Sequence, residues 1–141
     1  MRALLFVMLA MVALTSACGH GSPTSPDLLD LAGNWTGTWQ FVTSGVTVTD
    51  NLSVTFTQTG TAAAGTWSAD SGASGVFNFP ATTTVSGSMS IMQVTLSGVT
   101  CQATAGLSGS AAANSLSLQV PTIAGTTSCS WASNNVFSLH R

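Results

Sequence analysis

GNWTGTWQFV, residues 33–42, decides how this chain is read. Successive side chains of a strand point to opposite faces, so Trp35, Gly37, Trp39 and Phe41 share one face while Asn34, Thr36, Thr38 and Gln40 share the other. One face is apolar and the other hydrogen-bonding, as in a half-buried strand. The run VTVTDNLSVTFTQ, residues 46–58, repeats the pattern. It sets Val46, Val48, Leu52, Val54 and Phe56 against Thr47, Thr49, Ser53, Thr55 and Thr57. Asp50-Asn51 is expected to mark a bend, and Thr43-Ser44-Gly45 and Thr59-Gly60-Thr61 supply hairpin turns.

Beyond this pair of strands the chain stays rich in Thr, Val and Gly, with no helical period. MQVTLSG (92–98), LSLQV (116–120) and VFSLHR (136–141) are each strand candidates. Gly65, Gly87 and Gly109 recur every 22 residues, about the length of a hairpin with its turns, which suggests a meander. The expectation is an all-β domain over residues 33–141, with about eight strands. Open sheet edges are normally guarded by lysines, inward charges or prolines, and this chain has no Lys and only 4 Pro. Closing the sheet removes its edges, so a small up-and-down antiparallel β-barrel is expected; a β-sandwich is the alternative.

Charge excludes several functions. The 141 residues hold Lys+Arg 2 and Asp+Glu 4, and past residue 2 the only cation is Arg141. A nucleic-acid binder needs clustered Lys and Arg to displace counterions, and a basic membrane-surface patch needs the same. Neither is available.

The amino terminus, MRALLFVMLAMVALTSAC, has one basic residue, Arg2, before an uncharged apolar run too short to span a bilayer stably. It reads as an export signal over 1–17. Leu14-Thr15-Ser16-Ala17-Cys18 resembles the lipobox of bacterial lipoproteins, although Thr15 stands where Leu or Val is more common. The resemblance implies that Cys18 is acylated, palmitate among its chains, and becomes the mature terminus. Gly19 is not the aspartate that retains such proteins in the inner membrane, so the outer membrane is the expected location. Residues 18–32, with GHGSPTSPD at 19–27, then read as anchor and flexible tether. Of the 3 cysteines, lipidation of Cys18 leaves Cys101 and Cys129 to pair in an oxidising compartment. Such a loop is worth about 3–4 kcal/mol by chain entropy. Two separate buried thiols are the alternative.

At GNW and FSLHR the sequence looks like the calycins, the superfamily of lipocalin and avidin barrels. Their signature is a Gly-X-Trp on the first strand covered by an Arg or Lys from the last, which the resemblance maps onto Gly33, Trp35 and Arg141. It implies that the Arg141 guanidinium lies over the Trp35 ring, worth about 0.5–2 kcal/mol. A frayed terminal arginine in solvent is the alternative. GTAAAGTWSADSG, residues 60–72, is similar to the second hairpin of avidin-like proteins. Trp67 and Ala69 replace that family's ligand-contacting tyrosine and serine, which argues against biotin.

No catalytic residue, metal site or cofactor is expected. His20 lies in the tether, His140 is expected to point outward, and Asp50 and Asp70 sit at a bend and a turn. No His, Cys or Asp cluster has ligand spacing. Trp35, Trp39, Trp67 and Trp131 either line a cavity or fill a small core. The functional expectation is a non-catalytic envelope lipoprotein that binds a small apolar molecule or lipid in the barrel, with Trp39 and Trp67 as ligand residues. The alternative is a structural or protein-interaction lipoprotein, inhibitor-like, with a filled barrel.

Overall fold

A computed structural model describes residues 28–95, 98–124 and 129–141. Eight strands follow in chain order: β1 (Gly33–Thr43), β2 (Val46–Thr59), β3 (Ala62–Ala69), β4 (Ser74–Pro80), β5 (Thr84–Val94), β6 (Thr100–Ala112), β7 (Ser115–Val120) and β8 (Ser133–His140). Each pairs antiparallel with the next, and β8 pairs back onto β1, so the sheet closes into an up-and-down barrel. Closure is what the near absence of edge-guarding residues pointed to, and the β-sandwich is set aside.

The opening stretch forms β1 as read, with Trp35 and Trp39 buried and the Thr and Asn side inclined to solvent. Ser44 and Gly45 both take positive φ, 50° and 77°, making the tight turn that joins β1 to β2. The expected bend at Asp50-Asn51 is absent. β2 runs straight through both residues, because Asn51 pairs with Thr38, and Asp50 with Trp39, in an unbroken ladder. MQVTLSG is not a strand of its own: Met92, Gln93 and Val94 end β5, and Gly98 lies in the connection to β6. The 22-residue glycine spacing is not a structural period either, since Gly65 lies on β3, Gly87 on β5 and Gly109 on β6.

Glycine matters to closure for another reason. A Cβ on Gly37, Gly75 or Gly109 would stand 1.9 Å from a carbonyl oxygen of the neighbouring strand, and on Gly87 2.1 Å from one. At these inward-facing points the strands coil so tightly that backbone occupies the place of a side chain.

The packed unit begins before Gly33. Leu28 bridges to Thr82, the Leu29 N–H donates to Ala81 O at 2.9 Å, and Leu31 is fully buried. Gln58 holds the segment by accepting from Leu31 N–H at 2.8 Å and donating to Leu29 O at 2.9 Å. Residues 28–32, counted above within the 18–32 tether, are therefore a plug at one end of the barrel. Residues 1–27, with the leader and Cys18, lie outside the described residues.

Candidate functional site

Trp35 stands at the plugged end, and its indole N–H donates to Leu31 O at 2.9 Å. Gly33, two residues earlier, has a φ of 120°, which side-chain-bearing residues rarely adopt, and this turns the chain from the plug into β1. The Arg141 guanidinium lies 5.1 Å from the Trp35 ring centroid. It also donates from Nη2 to Asp30 O at 2.7 Å and from Nη1 to Ala32 O at 3.1 Å. One cation thus covers the tryptophan and clasps both ends of the plug's last turn. Replacing Arg141 with Ala is expected to cost about 1–2 kcal/mol, one exposed cation–π contact plus charge-assisted bonds to backbone. A melting curve should fall by several degrees and Trp35 emission should shift; an indifferent curve would leave the guanidinium as an ornament in solvent.

At the opposite end, β8 is bulged against β1, the register shifting between Gln40 and Val42 where Asn134 takes a φ of 51°. Asn135 shares the inward face of β8 with Phe137 and Leu139 and is buried. Its carboxamide accepts from Trp39 Nε1–H at 3.1 Å and donates to Val120 O and Ala132 O. Asn135 escaped the sequence reading, although the alternation that turns Phe137 and Leu139 inward reaches it when carried two residues back. Cys101 and Cys129 form a disulfide with Cα atoms 5.7 Å apart, tying β6 to the β7–β8 connection. In that connection Ile123 is buried and Trp131, half-buried, packs against the core.

Trp39 and Trp67, the expected ligand residues, meet in the interior at 5.9 Å between ring centroids. Phe137 stacks on Trp39 at 5.7 Å, and Phe77 stacks on Trp67 at 5.7 Å. Phe56 then links Phe77 to Trp35 at the plugged end. An unbroken file of rings runs along the barrel axis, flanked by buried Leu52, Val54, Met89, Ile91, Leu107 and Leu118.

A recess lies instead in the wall. About 650 Å3 in volume, it is bordered by outward-facing Thr66, Ser74, Val76, Ser90, Met92, Gln102 and Thr104. Inward-facing Trp67, Gly75, Ile91 and Ala103 form its floor. At Gly75 the wall is thin, and a Cβ there would stand 2.8 Å from Trp67 Nε1. That indole N–H is buried and has no hydrogen-bond partner, a condition it shares with Trp131.

The polar groups elsewhere are dispersed. Asp50 accepts from Ser71 N–H at 3.2 Å, Asp70 from Asn51 Nδ2–H at 2.9 Å, and exposed His140 lies 3.4 Å from Thr36 Oγ1. Among the described residues no three His, Cys, Asp or Glu side chains come together as a metal site. Comparison with family models, curated proteins and solved structures finds no match. The fold itself therefore defines the class: a closed eight-stranded antiparallel up-and-down β-barrel, consistent with a calycin-like fold.

Proposed function

We propose that this chain is an exported, lipid-anchored, non-catalytic calycin-type domain whose filled barrel is a rigid scaffold for contacts made on its outer surface. The observation that carries this reading is the axial file of rings from Trp35 to Trp39, which occupies the space a carrier would give its cargo. Filled small barrels gain their rigidity from such side chains. The sequence reading's alternative, a structural or protein-interaction lipoprotein, is thus favoured over an apolar carrier. The anchor rests on the lipobox-like run before Cys18, and the outer membrane on Gly19.

Two measurements test it. Cys18→Ser should move the protein from membrane to soluble fractions of its host almost completely; unchanged fractionation ends the lipoprotein reading. Protein isolated from that host should show the same Trp39 indole 1H–15N signal before and after unfolding and refolding. A shift would mean that an interior cargo had been lost, and would restore the carrier.

A further inference from the structure

We infer that the wall recess over Gly75 is a small-molecule site for a neutral ligand with an apolar body and one carbonyl or hydroxyl oxygen, which accepts the Trp67 indole N–H. The inference goes beyond the scaffold reading and does not depend on the anchor or on what fills the barrel axis.

Trp67 supplies the first argument. An indole N–H can only donate, and a buried donor without an acceptor forgoes the bonds it had in water. The indole N–H groups of Trp35 and Trp39 are both satisfied, by Leu31 O and Asn135 Oδ1, whereas that of Trp67 is not. Of the four indole N–H groups two are bonded, at the barrel ends, and two are not, that of Trp131 and that of Trp67, which lines the recess.

The wall supplies the second. At Gly75 the Ser90 carbonyl stands where a side chain would be, beside Trp67 Nε1, and the strand link next to it is carried in part by a side chain: Val76 N–H donates to Ser90 Oγ at 3.1 Å. For an incoming oxygen to reach Nε1, Ser90 must turn about χ1 and release the Val76 N–H, and the strands must part slightly at the Ser90 carbonyl.

The lining defines the ligand's chemistry. Val76 and Met92 stand at the sides and Ile91 and Ala103 in the floor, offering an apolar bed. Thr66, Ser74, Ser90, Gln102 and Thr104 offer uncharged hydrogen-bonding groups. No lining residue is charged, so an ionic ligand would lose hydration without a counter-charge. The volume of about 650 Å3 lies in the range that takes one compact organic molecule rather than a polymer.

Nile red, neutral and carbonyl-bearing, is the probe. It is titrated into the mature chain carrying Cys18→Ser, so that neither acyl groups nor detergent take up the dye. Saturable one-to-one binding is expected, with the Trp67 indole 1H–15N signal moving and those of Trp35 and Trp39 staying in place. Thr104→Trp, at an exposed position, should fill the recess and weaken binding at least tenfold with an unchanged melting temperature. Ser117→Trp, on exposed β7, should bind as the parent does. Trp67→Phe keeps a ring but removes the donor, and should weaken binding about fivefold, the worth of one neutral hydrogen bond. Absence of saturable binding, an unmoved Trp67 signal, or full affinity in Thr104→Trp would each overturn the assignment.

Discussion

Gly37→Ala is expected to destabilise the barrel by about 3 kcal/mol, the upper end of the usual cost of overpacking. The added methyl would stand 1.9 Å from Ser138 O and 2.8 Å from Leu139 Cα, both backbone atoms of β8. A flexible side chain could turn away, but backbone held in a ladder can only move by breaking it. β1 and β8 form the seam at which the barrel closes, so the strain falls on the pairing that no other strand can replace. At roughly 4–8 °C per kcal/mol for a domain of about this size, thermal unfolding should fall by roughly 12–24 °C. Gly106→Ala is the control. It lies at an exposed position of β6 with nothing within 4 Å of its would-be Cβ, and should be neutral or gain about 0.4–1 kcal/mol by restricting the unfolded chain. Equal melting temperatures for the two variants would show that close strand approach at Gly37 is not what closes the sheet.

Phe137→Ala is expected to cost about 3–5 kcal/mol, the range for removing a fully buried aromatic ring. Phe137 is 0% exposed and lies among Trp39, Trp67 and Phe77, with ring centroids at 5.7, 5.8 and 5.1 Å. Of these neighbours Trp39 is held by its bond to Asn135, and Trp67 and Phe77 are stacked on each other, which limits collapse into the void. The cavity should therefore stay open, apolar and dry, and saturating benzene should restore part of the lost stability. Urea denaturation with and without benzene measures both effects. A loss below about 1 kcal/mol would mean that the interior is loosely filled, contrary to the scaffold reading. Phe41→Ala, removing a half-buried ring that packs on Trp39 at 4.3 Å, should cost clearly less and gain nothing from benzene.

The first two strands and the hairpin turn at Ser44-Gly45 were legible because their signals are local. Alternation tells which side chains share a face, and turn residues tell where the chain reverses. The same locality misled at Asp50-Asn51, where two turn-prone residues suggested a bend that ladder pairing with Trp39 and Thr38 overrides. It also misplaced the folded boundary. Leu28 to Ala32 has no strand pattern, yet Leu31 is buried, because the open end of a barrel needs a cover and the nearest chain supplies it. Asn135 was missed although it shares strand parity with Phe137 and Leu139, because its role as partner of the Trp39 indole depends on which side chain lies across the barrel. The recess over Gly75 was not legible at all, since it depends on outward-facing residues of four neighbouring strands, β3 to β6, which are far apart in the chain.

By itself, the amino-acid sequence determined the fold class of this protein: strands rather than helices, with a closed barrel favoured over a sandwich by the scarcity of edge guards. These follow from composition and short-range period, which any segment carries within itself. Only the tertiary structure decided whether tryptophans line a space or fill one, because that depends on which rings from β1, β3, β4 and β8 arrive at the same depth. Depth is set by strand register and stagger around the closed barrel. That is a property of all eight pairings together.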